Sequence, residues 1–87
     1  MLEKKVILEN EEGMHARPAG VFVKTANQFS STVEINFNGT KKNGKSVINL
    51  MSFGLKCKDE FLLMVNGPDE SQAIETLTTL IANKFSL

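Results

Sequence analysis

Residues Thr32 to Ser46 read T-V-E-I-N-F-N-G-T-K-K-N-G-K-S, and the fold turns on how this stretch is parsed. Its second half, Gly39 to Ser46, satisfies G-x-x-x-x-G-K-[ST], the loop that cradles phosphates in ATP- and GTP-binding enzymes. Its first half alternates: Val33, Ile35 and Phe37 face one side, and Thr32, Glu34 and Asn36 the other. That period of two marks a half-exposed strand. Asn38-Gly39 follows at once, the strongest short signal for a two-residue hairpin turn, so Thr40 to Asn43 becomes the return strand. A phosphate loop needs a buried parallel strand before it and a long helix after it. Here the strand is half-exposed, Gly39 belongs to a turn, the following helix is short, and no apolar strand ending in Asp is left to hold magnesium. The stretch is a hairpin followed by a helix start, which sets aside a small nucleotide-binding enzyme.

On either side of the hairpin the elements alternate. Lys5 to Glu9, K-V-I-L-E, is a short β-branched apolar run and reads as a strand. Glu11-Glu12-Gly13 supplies a turn. From Ala16 to Phe29 the residues Ala19, Phe22, Val23, Ala26 and Phe29 follow helical spacing. Ser46 caps a short helix that ends at Gly54. Asp59 to Asn66 is a strand with Phe61, Leu63 and Val65 on one face, and Gly67-Pro68 breaks it. Asp69 caps a last helix, Gln72 completes a capping box, and Ala73, Ile74, Leu77, Leu80, Ile81 and Phe85 form its apolar stripe. The order β-α-β-β-α-β-α predicts an α+β architecture, an antiparallel sheet with helices over one face and solvent on the other.

The chain has 87 residues, 41% of them hydrophobic, without repeats, linkers or low-complexity tracts, so one domain spanning 1–87 is expected. Ten basic and ten acidic residues cancel, which argues against a nucleic-acid binder working through its overall field. A single cysteine, Cys57, excludes an internal disulfide and a cysteine-based zinc site, and it has no histidine near it in sequence to make it a nucleophile. No metal and no cofactor are expected. No apolar run reaches the roughly 20 residues a bilayer requires, and the N-terminal residues carry acidic side chains unlike a signal peptide, so a cytoplasmic location without membrane insertion is expected.

The one histidine lies in G-M-H-A-R-P-A-G, Gly13 to Gly20, where a turn enters the first helix. Proline is tolerated at position 18 because first-turn amides have no intrahelical acceptor. This puts His15 at or near the N-cap, with the amides of Ala16 and Arg17 pointing out of the helix end. Oriented donors and the helix dipole favour an anion there, and the Arg17 guanidinium matches a phosphate. An imidazole in that position can act as a nucleophile toward phosphorus, forming a nitrogen–phosphorus bond that stays reactive. A surface histidine that merely starts a helix would look the same.

G-M-H-A-R-P-A, Gly13 to Ala19, resembles the active-site signature of the histidine-containing phosphocarrier (HPr) family, and N-G-K-S-V-I-N-L-M-S-F-G-L, Asn43 to Leu55, resembles its second signature, around a regulatory serine. Two separated motifs at matching spacing, with the same length and element order, extend the resemblance over essentially the whole chain. It implies an open-faced β-sandwich, three helices over a four-stranded antiparallel sheet. It also implies a carrier in the phosphoenolpyruvate-dependent sugar phosphotransferase system, not an enzyme. Enzyme I would donate a phosphoryl group to Nδ1 of His15, Arg17 would stabilise it, and EIIA domains would receive it. Ser46 would be phosphorylated by an ATP-dependent HPr kinase/phosphorylase, with a catabolite-control repressor as a further partner; the lysine- and glycine-containing stretch would then be a substrate of a nucleotide enzyme.

Val47, Ile48 and Met51 occupy one flank of the short helix and are candidates for partner docking, with Gly20, Lys24 and Lys45 as the rim and Leu50 turned to the core. Gly20 stands where the family has a bulkier residue, which weakens that helix by up to about 1 kcal/mol. Glu11 and Glu12 stand where relatives carry small neutral residues, and their charge opposes an incoming phosphate. A monomer suits a shuttle that shows one face to several partners. Two alternatives stay open: a regulatory paralogue that works by binding a repressor or enzyme, although such paralogues often replace the histidine, and a nitrogen-related phosphotransfer branch.

Overall fold

The computed structural model describes residues 1–86. Seven elements follow in the expected order: β1 (Leu2–Ile7), α1 (Ala16–Ala26), β2 (Thr32–Phe37), β3 (Thr40–Asn43), α2 (Val47–Ser52), β4 (Glu60–Asn66) and α3 (Glu70–Ala82). The four strands form one antiparallel sheet in the order β1-β4-β2-β3. Asn38 and Gly39 both adopt positive φ, 53° and 83°, the backbone of a type I′ turn, and Phe37 pairs with Thr40 across it. The nucleotide-loop pattern is thus divided between a turn, a strand and a cap.

β4 is the last strand in sequence and an inner strand in space. It pairs with β1 from Leu2↔Val65 to Ile7↔Glu60 and with β2 from Thr32↔Asn66 to Asn36↔Leu62. The period-two pattern puts Phe61, Leu63 and Val65 of β4, Val33 and Ile35 of β2, and Val6 of β1 on the covered face, all buried. Leu62 and Met64 lie on the other face and stay half-exposed. α3 lies over β1 and β4, while α2 lies over β3 and against α1. Phe22, Leu50, Leu77 and Ile81 bring the helices into the same core. Each such side chain contributes on the order of 1.5–3 kcal/mol when removed from water.

Four boundaries differ from the sequence reading, each for a physical reason. β1 spans Leu2–Ile7 rather than Lys5–Glu9, because an edge strand tolerates charged residues such as Glu3, Lys4 and Lys5 that hide its alternation. β4 starts one residue later than expected, at Glu60. α1 stops at Ala26, and Gln28 and Phe29 close three-residue turns onto Thr25 and Ala26. α3 stops at Ala82; Lys84 and Phe85 turn through positive φ, the Phe85 amide donates to the Leu80 carbonyl, and the ring folds back into the core from beyond the helix.

The expected capping box is not made. Asp69 is the N-cap of α3, but its carboxylate does not bond to its own helix. It accepts the backbone amides of Ser30 and Ser31, each at 2.9 Å, and the Ser31 hydroxyl. Glu70 instead accepts the Gly67 amide at 3.1 Å. Asp69 therefore ties the start of α3 to the entry of β2, a task that only its tertiary neighbours define.

The Ser31 hydroxyl, followed by the Ser30 and Ser31 amides, holds the Asp69 carboxyl below the ordinary aspartate range. A carboxyl lowered in the folded state stabilises the fold above its unfolded pKa, and that contribution is lost as pH falls through the folded value. Melting temperatures followed by circular dichroism from about pH 6 to about pH 3 should fall for the wild type. Asp69→Asn should melt lower at neutral pH and show a shallower acid-side decline; an unchanged slope would refute the role of this clamp.

Candidate functional site

The turn before α1 is built to hold its side chains at fixed points. Gly13 donates to the Asn10 carbonyl at 3.1 Å, and the buried Asn10 amide donates back to the Gly13 carbonyl at 2.6 Å. The same Asn10 nitrogen donates to Glu12 Oε1 at 3.0 Å. This orientation leaves Asn10 Oδ1 buried without a partner among the described residues, a cost that the two donated bonds offset. Gly13 has φ +72°, and a Cβ there would come within 2.6 Å of the Leu55 carbonyl oxygen, so only glycine fits both the backbone and the space. The close approach lets the Met14 amide donate to that Leu55 carbonyl at 3.0 Å, while the Met14 side chain enters the core.

His15 comes next, with extended backbone (φ −84°, ψ −178°), and its carbonyl accepts the first helical bond from the Ala19 amide at 2.9 Å. It is the N-cap by position only: the imidazole makes no cap hydrogen bond and is exposed. The amides of Ala16 and Arg17 make no hydrogen bond among the described residues, as expected of the first helical positions. Pro18 fills the third position, buried, where it costs no helical bond. An imidazole with no hydrogen-bond partner among the described residues thus stands at a helix end whose free donors and dipole favour an anion.

Arg17 is exposed and turns back to Glu12, with its guanidinium nitrogen 3.5 Å from Oε2. The Asn10 amide is the largest cause that holds the Glu12 carboxyl below the ordinary glutamate range, with the backbone amide of Glu12 and the Arg17 charge adding to it. His15 shares a shallow cavity of about 330 Å³ with Glu12, Met14, Met51, Gly54, Leu55 and Lys56. Lys56 adds a cation that forms no ion pair among the described residues. A larger groove, about 450 Å³, runs between β1 and α3, away from this turn.

The other expected residues fall at different distances from His15. Met51 lines the cavity and is 44% exposed; Ile48, one turn earlier on α2, is 80% exposed. Val47 is half-buried against the core, and Leu50 is fully buried. Ser46 is the N-cap of α2, where its hydroxyl accepts the Asn49 amide at 3.2 Å. Lys45 is not gathered at the turn: its ammonium donates to the Phe29 carbonyl at 2.8 Å, at the opposite end of α1 from His15. Lys24 is exposed in the last turn of α1, nine residues or about 13 Å along the axis from His15. Gly20 faces open space: beyond its chain neighbours and its own helix backbone, no atom of the described residues lies within 4 Å of where a Cβ would stand. Cys57 is half-buried and its sulfur lies against the Glu9 carbonyl, not in the His15 cavity. Asn10 and Lys56 were missed by sequence reasoning. Only the long-range approach of residue 14 to residue 55 brings Lys56 to the site, and no local motif signals it.

Comparison with known proteins places these features in a family. A family model described as the phosphotransferase-system HPr component phosphorylation site matches residues 2–83. The HPr-like protein Crh of Halalkalibacterium halodurans is 40% identical over 93% of this chain and 96% of its own length. The phosphocarrier protein HPr of Treponema pallidum is 36% identical over 98% and 97%. The crystal structure of HPr from Thermoanaerobacter tengcongensis, 40% identical, superposes with a TM-score of 0.94 over 98% of this chain and 96% of that one. An HPr dimer from the same organism, 39% identical, gives 0.79 over the full length of both chains.

The Gly13 junction carries a stability prediction. Gly13→Ala forces a left-handed backbone on alanine and drives its methyl into the Leu55 carbonyl. It should destabilise the chain by about 2 kcal/mol, or roughly 8–16 °C in Tm by thermal melting. A loss under about 2 °C would show that the turn relaxes and is not the fixed support described.

Proposed function

This chain belongs to the HPr family of phosphocarrier proteins of the phosphotransferase system, and from that premise we propose that it accepts a phosphoryl group from Enzyme I on His15 and passes it to EIIA domains. One observation carries the reading: an exposed imidazole, without a hydrogen-bond partner among the described residues, stands beside the free amides of Ala16 and Arg17 at the start of α1. The Nδ1 lone pair attacks phosphorus, the new nitrogen–phosphorus bond forms as the bond to the donor breaks, and the bonding electrons leave with the donor. The phosphoryl oxygens then face the two amides and Arg17, whose planar donors suit them. Transfer onward reverses the step with the acceptor's nucleophile. The chain acts as a covalent intermediate between enzymes and turns over no substrate of its own. Among the described residues no helix is long and apolar enough to cross a membrane; the proposed place of work is the cytoplasm.

Docking uses the flank of α2. Ile48 and Met51 are exposed apolar side chains on a helix whose far end opens into the His15 cavity, with Val47 at the margin. An apolar patch of this kind suits transient contact with Enzyme I and EIIA. Ser46 starts the same helix, and we assign it as the target of an ATP-dependent HPr kinase/phosphorylase. A phosphate on this N-cap lies favourably at the helix dipole, yet it puts about two negative charges beside Val47 and Ile48. A monomer that shows one face to several partners is the proposed working form, although an HPr relative is described as a dimer. A second reading, a regulatory HPr paralogue acting by binding a repressor, is favoured by the similarity to Crh; His15 supports the carrier.

The test is intact mass after incubation with phosphoenolpyruvate and an Enzyme I active on another carrier. The wild type should gain one acid-labile phosphoryl group and His15→Ala none; no gain on the wild type would leave the regulatory paralogue as the account. With ATP and HPr kinase/phosphorylase, an acid-stable group should appear on the wild type and not on Ser46→Ala, and labelling of both would remove Ser46 from its role. Ile48→Asp should raise the KM of Enzyme I for the carrier about tenfold with kcat unchanged. An unaltered KM would place the docking surface elsewhere.

A further inference from the structure

The turn that carries His15 also carries a carboxylate that accepting a phosphate does not require. Glu12 is held from two sides: the buried Asn10 amide fixes Oε1 at 3.0 Å, and the Arg17 guanidinium meets Oε2 at 3.5 Å. Asn10 is 1% exposed and keeps its own oxygen unpaired in making this contact, so the carboxylate is placed and not merely passing on the surface. The arginine that suits a phosphate is thereby occupied by an anion supplied by the same turn.

We propose that Glu12 is a positioning residue that holds Arg17 in the unphosphorylated chain and competes with the phosphoryl group for it, so that the nitrogen–phosphorus bond on His15 is less stabilised and is given up faster. The proposal rests on the reading of His15 as acceptor and Arg17 as its partner. The geometry supplies the mechanism. A phosphoryl group brings about two negative charges into a cavity that Glu12 also lines. Arg17 can then leave Glu12 for the phosphate, which strands a carboxylate that Asn10 does not release, or stay divided between two anions. Either way the phosphorylated state gains less from Arg17 than it would beside a neutral residue. The unphosphorylated state keeps its ion pair, so the balance moves toward donation. Loss of the group to water is the simplest form of the step: the nitrogen–phosphorus bond breaks, its electrons return to the ring nitrogen, water oxygen bonds phosphorus, and one proton passes to the imidazole. Hydrogen phosphate leaves.

Glu12→Gln keeps an oxygen for Asn10 and removes the charge, so the turn stays closed. Potassium phosphoramidate phosphorylates histidine without a partner protein: the ring nitrogen attacks phosphorus and ammonia leaves. Phosphorus NMR then follows loss of the phosphohistidine signal. At low salt, Glu12→Gln should keep its label about threefold longer than the wild type, the size expected of an exposed ion pair. The difference should fade as salt approaches about 1 M, where the screening length is about 3 Å. It should also vanish in an Arg17→Gln background, a result that loosening of the turn would not produce. Equal lifetimes at low salt, or a threefold gain that survives Arg17→Gln, would overturn the proposal. Because phosphoramidate needs no Enzyme I, the lifetimes decide the matter for Glu12 even where Enzyme I labels neither protein, an outcome that would sink the carrier reading alone.

Discussion

The insertion of β4 between β1 and β2 is the constraint on which the rest of the molecule depends. Residues 60–66 must find partners more than 50 positions away on one side and about 30 on the other before the sheet has a centre. Once they do, Phe61, Leu63 and Val65 close the core beneath the helices, and the segment leading into β4 is laid beside the one leaving β1. The Leu8 amide donates to the Asp59 carbonyl, and the Lys58 amide to that of Leu8. The Met14 amide then reaches the Leu55 carbonyl. The turn before α1 is thus framed by a backbone bond from the segment before β4 as well as by its own bonds and the first bond of α1. Contacts of such sequence separation carry a loop-closure cost that only the apolar burial can offset, so the site's geometry is secured by the core.

That dependence explains which parts of the fold are legible in the sequence. The β2–β3 hairpin needs only local facts, a period of two and the positive φ of Asn38-Gly39, and the structure has it residue for residue. The start of α2 is likewise local, since Ser46 bonds an amide three residues on. What fails is what tertiary partners decide. Asp69 and Gln72 spell a capping box, yet two amides and a hydroxyl from the loop before β2 take the carboxylate. Phe85 continues the stripe of α3 by spacing, yet the helix ends at Ala82 and the ring enters the core through a left-handed turn. In both places a residue type was read correctly and its partner was not.

The site divides along the same line. His15 and Arg17 are legible because a helix start, a proline and unpaired amides are sequence-local features. Lys45 and Lys56 are not. Lys45 adjoins the cap serine in sequence but is drawn to the Phe29 carbonyl, and Lys56 lies beyond the second signature yet joins the histidine cavity. Asn10 shows the limit most clearly: as a residue before a turn it carries no signal, and its importance lies in a buried amide that serves a carbonyl and a carboxylate together.

On the proposed reading, the chain must hold its cargo firmly enough to survive between partners and loosely enough to surrender it, and the two demands would fall on different parts of this turn. Firmness of position comes from groups that cannot move: Gly13 against the Leu55 carbonyl, Met14 in the core, Pro18 buried in the first helical turn. Looseness of grip comes from groups in water. The imidazole is exposed, Arg17 is exposed, and the only charged partner of Arg17 among the described residues is a carboxylate of the same turn. Exposed charges are screened and contribute little each, so on that reading no single contact would trap the phosphoryl group. A buried arginine would bind the phosphate more tightly and would turn the carrier into a sink. The fold avoids this by burying the supports of the site and leaving its chemistry at the surface.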